Sequence, residues 1–180
     1  MRLKTGTLVI LASLSGSLGA CVPPAEVPNA RAELATDEFS KTLDVLGPMM
    51  IDNPLFGIKD NFRLVAHIDK RSRAITHVIE AEIDYNGSFY NFRYAADDTG
   101  QTLVLVPVKR TRNSFGVDRS EMVDVIVPDT ALRAHAANGY RVKLSTRDGT
   151  YYIIAVTPAM IAAQFRGIAE ALGQAARAGD

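Results

Sequence analysis

The chain has 180 residues, with 20 basic side chains against 20 acidic ones. That balance supplies no cationic field for nucleic acid, and the length suits one domain with a real core. A single Cys rules out a disulfide within the chain and a thiolate metal cluster, so stability must come from packing.

Arg2 and Lys4 are the only charges in the first twenty residues. An apolar stretch runs from Leu8 to Leu18, and Leu18-Gly19-Ala20-Cys21 follows. A positive start, a short apolar centre and a small-residue exit are the parts of a secretory signal. The stretch is too short for a bilayer span, which needs roughly 20 predominantly apolar residues, and no later segment supplies such a run. Leu18-Gly19-Ala20-Cys21 resembles the lipobox of bacterial prolipoproteins, and it falls on the only Cys of the chain. The resemblance covers the first 21 residues and says nothing of the folded domain. It implies cleavage between Ala20 and Cys21, diacylglycerol on the Cys21 thiol and often an acyl chain on the new amino group. Ordinary signal peptidase would meet Leu18 at the third-last position if it cut after Ala20, which is unfavourable; a cut after Gly19 would put Ser17 there. One acyl chain binds a bilayer only marginally, at about 0.8 kcal/mol per buried CH₂, so several chains make the anchor stable. Val22 rather than Asp follows the Cys. In enterobacteria-like sorting that pattern implies the outer membrane, facing the periplasm.

Val22 to Asn29 contains Pro23, Pro24 and Pro28 and reads as an extended tether, part of an anchored segment over residues 21–35. A single domain is expected over 36–175. A helix is predicted from Thr36, with Asp37 and Glu38 at its positive end and Phe39, Leu43 and Leu46 on one stripe. Gly47-Pro48 would stop it. Met49 to Asn61 reads as a loop carrying Met49, Met50, Ile51, Leu55 and Phe56. Phe62 to Asp69 reads as a strand, followed by a turn at Lys70 to Arg73. Asn86-Gly87 predicts a hairpin with Ile79 opposite Tyr94, Ala81 opposite Phe92 and Glu80 opposite Arg93. Thr102 to Lys109 and Met122 to Val127 read as strands, and Asp129 to Ala137 as a short helix. Asp148-Gly149 predicts a second hairpin, with Val142 opposite Ala155 and Leu144 opposite Ile153. Thr157 and Pro158 open a C-terminal helix with a stripe at Ile161, Phe165, Ile168 and Leu172. The expected fold class is α+β, a mostly antiparallel twisted sheet of about six or seven strands. It carries an N-terminal helix, a short helix before the last hairpin and a C-terminal helix packed on the sheet.

Chemistry is sparse. His67, His77 and His135 lack the paired spacings of a helical zinc site, so structural roles are expected, with His77 on the inner face beside Ile79. Asn113-Ser114-Phe115-Gly116 comes nearest to a nucleophile turn and is not one. No glycine-rich phosphate loop is present, and no cofactor, metal or catalytic residue is assigned. Glu80, Glu82 and Asp84 share a strand face at about 6.6 Å spacing. Paired carboxylates can hydrolyse glycans, although a solvated strand face explains them more simply. Lys70, Arg71 and Arg73 form one basic cluster, and Lys109, Arg110, Arg112 and Arg119 another. Either could meet anionic headgroups or acidic wall polymers, or simply solvate a turn. The apolar loop from Met49 to Phe56 either plugs the sheet or docks a partner. The candidate binding surface comprises Met49, Met50, Phe56, Arg110 and Arg112. The expected function is a membrane-anchored envelope lipoprotein, held through lipid on Cys21, with a non-enzymatic binding or assembly role and an envelope protein as partner. The competing expectation is a cell-wall or lipid-acting hydrolase using the strand carboxylates.

Overall fold

Burial alternates along most of the middle of the chain, and a period of two makes strands. A computed structural model describes residues 31–35, 37, 39–52, 60–112 and 118–177. Its strands are β1 (Glu33–Ala35), β2 (Thr42–Leu46), β3 (Met50–Asp52), β4 (Asp60–Asp69), β5 (Ile75–Asn86), β6 (Tyr94–Asp97), β7 (Thr102–Arg112), β8 (Asp118–Val127), β9 (Tyr140–Ser145) and β10 (Tyr151–Val156). Its helices are α1 (Asp129–Ala134) and α2 (Pro158–Arg177). All strand pairings are antiparallel. Across the sheet the order is β1-β2-β4-β5-β8-β7-β6-β9-β10, and β3 also pairs with β4.

The sheet curls around its own apolar side. Leu64 and Ile79 from one half share a core with Leu144 and Ile154 from the other. Each such fully buried side chain contributes about 1.5–3 kcal/mol relative to exposure. Met160 and Ile161 bring α2 into that core, and Leu132 brings α1. Farther along, Ile168 and Ala171 of α2 pack with Leu43, Val45, Ala66 and Ile68 in a second cluster. The Thr157 hydroxyl accepts the Met160 N–H at 3.3 Å, as expected of a cap. The mostly antiparallel sheet, with few helices, and the C-terminal helix are therefore present, but the strands among the described residues number ten rather than six or seven.

The predicted N-terminal helix is instead strand β2. Leu43 and Val45 alternate into the core, whereas Phe39 is 88% exposed. Of the residues read at the start of that helix, Thr36 and Glu38 lie outside the described residues, and Asp37 accepts the Phe39 N–H at 2.9 Å; Ser40 likewise accepts the Thr42 N–H at 3.1 Å in a local turn. The break at Gly47 has a packing cause. A Cβ there would lie 2.7 Å from the Leu64 carbonyl oxygen and 2.7 Å from Gln164 Oε1. The chain thus steps from β2 to β3 along one edge of β4.

The predicted pairing across Asn86-Gly87 does not form. Gly87 does turn, at φ 98°, but β5 lies between β4 and β8, with Ile79 opposite Leu64 and Val125. Long apolar neighbours on both sides outweigh one good turn dipeptide. The second hairpin forms with a register one residue off: Val142 faces Ile154 and Leu144 faces Tyr152. The Thr146 N–H reaches the Thr150 carbonyl, so the loop holds Arg147, Asp148 and Gly149, with Gly149 at φ 93°. A three-residue loop ending in a left-handed Gly displaces the pairing by one position. The segment read as tether also ends in structure, because β1 pairs with β2.

Candidate functional site

Opposed residues in a ladder point to the same face, so register defines what the outside of the sheet presents. Ile79 and Val125 point into the core. Their chain neighbours point outward and line up across strands. One row runs Leu46, Val65, Val78, Ile126, Val104 over β2, β4, β5, β8 and β7. The next runs Arg63, Glu80, Asp124, Val106, and the next Asn61, Glu82, Met122, Lys109.

The apolar row changes character along its length. Val65 and Val78 are buried by their neighbours, but Val104 is 58% exposed. Val106, Val108, Met122 and Ile126 are exposed around it. Both helices contribute to the inner core, and the exposed part of this face is its β7–β8 end. Strand β7 pairs with β8 along its length but with β6 only through Thr102 and Leu103. Among the described residues, Val104 to Arg112 therefore have a strand neighbour on one side only. Val108 is an extra residue at a bulge after Pro107, a feature common at sheet edges.

Beside the patch lies a shallow cavity of about 320 Å³, bounded by Met49, Arg63, Glu80, Glu82, Met122 and Asp124. Arg63 Nε and Nη2 both reach Glu80 Oε2 at 2.7 Å. Ser120 donates to Glu82 at 2.8 Å. Asp124 stands above its ordinary carboxyl range, first because it is partly buried and then because Glu80 is near. Asp124 was not among the sequence candidates. The alternation from Met122 to Val127 puts it on the outer face, but its place beside Glu80 needs the β5–β8 pairing.

Among the described residues, those proposed from sequence do not converge on one surface. Met49 borders the cavity. Met50 is buried opposite Phe62. Arg110 lies opposite Glu121 and reaches its carboxylate at 3.5 Å, while Arg112 sits 5.5 Å from the Phe89 ring. Lys109 joins the outer rows. In the other basic cluster, Lys70 is tied to the carbonyls of Asp37 and Ser40 at 2.7 and 2.8 Å. Ala20, Cys21, Phe56 and Asn113 to Gly116 lie outside the described residues. Glu80, Glu82 and Asp84 share a face as expected, and the Asp84 N–H donates to Asp60 at 3.1 Å.

Each His meets an Asp. His67 contacts Asp44 at 2.8 Å, His77 contacts Asp129 at 2.9 Å, and His135 contacts Asp98 at 3.4 Å. The pairs are separate, and no cluster of three metal-ligating side chains occurs among the described residues. His77 is 1% exposed, and burial holds it below the ordinary imidazole range against the opposing bond to Asp129.

No family model, curated protein or solved structure matches the chain.

Proposed function

We propose that this chain is a lipid-anchored envelope protein whose domain holds an extended segment of a second envelope protein along β7. Support for the anchor comes from the signal-like start and Leu18-Gly19-Ala20-Cys21. The observation that carries the binding role is the coincidence of an open strand edge with an exposed apolar patch at Val104, Val106, Val108, Met122 and Ile126. An open edge offers backbone donors and acceptors to an added strand, and the adjacent side chains select its sequence. Lys109 on the edge opposes self-pairing and favours an acidic residue in the incoming segment. The partner strand is expected to alternate, with apolar residues over Val104 and Val106.

Two measurements test this reading. Intact-mass analysis from native membranes should show a chain starting at Cys21 and carrying two or three acyl groups, and Cys21→Ser should lose them; an unlipidated wild-type chain overturns the anchor. For docking, Val104→Cys and Arg141→Cys would each carry a benzophenone attached to the thiol in membranes. A discrete protein adduct from position 104 alone, lost when Val106→Asp is added, is the expected result. Adducts from both positions or from neither overturn the β7 site.

The raised Asp124 beside Glu80 favours a second reading, a hydrolase that uses Asp124 as a proton donor to a glycan. Asp124→Asn would abolish release of wall fragments with the fold intact. Retained release, or none from the wild-type protein, would remove this reading.

A further inference from the structure

The other half of the sheet carries a different surface. An open groove of about 770 Å³ runs between the segment after β5 and the β9–β10 loop. Phe89, Tyr90, Arg93, Tyr94, Arg147 and Asp148 line it. Nothing in the proposed β7 docking uses these residues.

The walls are set before any ligand arrives. The Tyr90 ring stacks on Tyr85 at 3.9 Å and 8°, and the Tyr90 N–H donates to the Tyr85 hydroxyl oxygen at 2.8 Å. Tyr85 donates in turn to Glu121, which is 1% exposed. The same carboxylate accepts the Asn91 N–H at 2.7 Å and the Phe92 N–H at 3.3 Å. One buried group thus fixes three consecutive residues, including Asn91 at φ 57°. The Arg93 N–H is bound to the Ser145 carbonyl at 2.9 Å. On the opposite wall, Thr146 donates to Asp148, and the Thr150 N–H also reaches that carboxylate. Asp148 is therefore engaged in its own loop, while Arg93 and Arg147 leave the groove a net positive charge.

The surface continues beyond the groove. Pairing places Tyr94, Ser145 and Tyr151 in one cross-strand row over β6, β9 and β10. Tyr94 and Tyr151 are both more than half exposed, and Lys143 lies 4.8 Å from the Tyr151 ring centroid. Aromatic rings with wet edges and cationic groups therefore alternate along an open track.

We infer that this track binds a carboxylated glycan, with sugar rings against Tyr90, Tyr94 and Tyr151 and carboxylates on Arg93 and Arg147. A neutral chain would leave the guanidinium groups without partners, and a small anion would leave the rings uncovered. Guanidinium matches a carboxylate with two parallel hydrogen bonds, and tyrosine supplies apolar area with a polar tip. An open track suits a polymer better than a buried small molecule. The choice of a wall polymer rests on the envelope reading; the carboxylated-sugar chemistry does not.

The test uses the mature lipidated protein in detergent micelles. The probes are the N-acetylglucosaminyl–N-acetylmuramic acid disaccharide, oligogalacturonate and neutral di-N-acetylglucosamine, followed by calorimetry. The structure predicts that an acidic probe binds at least about tenfold more tightly than the neutral one, with affinity falling as salt rises. Arg147→Ala and Tyr94→Ala, both on exposed positions, should each weaken that binding about tenfold or more, as losing a charge-assisted contact or an aromatic anchor does. Val106→Asp should leave it unchanged, which separates this site from β7. Binding of oligogalacturonate alone would support the sugar site and exclude the muramic source. Equal binding of acidic and neutral probes, no binding of any probe, or full retention in an Arg93→Ala/Arg147→Ala variant would overturn the proposal.

Discussion

The two outward faces of the curled sheet share one core and differ in almost everything else. Over β4, β5, β8 and β7 the face is apolar with more carboxylates than cations: Val104, Val106, Met122 and Ile126 beside Glu80, Glu82 and Asp124, with Arg63 and Lys109 in the same rows. Over β6, β9 and β10 it is aromatic and basic: Tyr94 and Tyr151 beside Lys143, with Arg93 and Arg147 in the groove. Inward, both halves contribute aliphatic and aromatic side chains to the same cluster, among them Leu64, Ile79 and Phe62 from one and Leu144, Ile154 and Tyr140 from the other. The contrast lies in the outward set. Curling lets one small core support two surfaces of opposite chemistry, and substitutions should be able to disable either one alone.

The largest expected effect comes from the buried carboxylate that shapes the basic face. Glu121→Ala removes the acceptor for Tyr85, Asn91 and Phe92 and leaves Arg110 without its ion pair. Losing one member of a buried charged network costs about 3–5 kcal/mol. Chemical denaturation should show that loss, and near-UV circular dichroism should show the Tyr85–Tyr90 stack disturbed. A change below about 1 kcal/mol, the scale of an exposed ion pair, would mean that Glu121 does not hold the groove in shape.

A smaller effect lies between the faces, at His77 on the inner side. Its folded pKa is lowered, so the native protein binds fewer protons there than the unfolded chain. The resulting contribution is fully present above the ordinary imidazole value near 6.5 and drains as pH falls below it. Asp129 is also lowered, chiefly by the Arg133 hydrogen bond, but its contribution is lost only in the lower carboxylate window. Unfolding midpoints measured from pH 7.5 to 5.5 should therefore fall in the wild-type protein and stay flatter in His77→Phe. An unchanged slope in the variant would assign the dependence to other groups. On the acidic face, Arg63→Ala removes a partly exposed pair with Glu80 and should cost only about 0.2–1 kcal/mol, read from the same denaturation curves.

The inward pattern was more legible in the sequence than the partners. Alternation sets Ile79 and Ala81 on the same side of their strand as His77, and that side is the core. Thr157 and Pro158 opened the C-terminal helix where it begins. What failed was information that lies in the neighbour. Nothing local in Ile75–Asn86 says that β8, from more than thirty residues onward, will occupy the edge that the Asn86-Gly87 turn would give to the residues just after it. Phe39, Leu43 and Leu46 fit a helical stripe, and only β4 and α2 select the alternate reading through Leu43 and Val45. The candidate surface inherited that error. Met49 stands in a loop whose composition suits a plug or a docking surface, whereas Thr102 to Lys109 reads only as a strand, with nothing local to give Val104 and Val106 a face. Their place at an edge follows from β7 having, among the described residues, a strand neighbour on one side alone over that stretch.

The smallest expected effect on stability is also the sharpest test of the difference between faces. Val106→Asp adds a charge to a position that is already exposed, at an edge with no strand on its outer side among the described residues. Surface substitutions of this kind usually change stability by no more than about 0.5 kcal/mol. The new carboxylate would sit beside Asp124 in the cross-strand row, so part of the small cost should be like-charge repulsion relieved by salt. Partner capture along β7 should nevertheless disappear, because an apolar side chain in the incoming strand would then lie over a charge. Binding of acidic sugars on the other face should be unchanged. If Val106→Asp unfolds the domain instead, β7 is a core strand in solution and its open edge is closed by some part of the chain. If the variant folds and still captures a partner at position 104, the apolar patch is not what the partner reads. Measuring stability, capture and sugar binding on this one variant therefore separates a functional edge from a structural one, and the acidic face from the basic one.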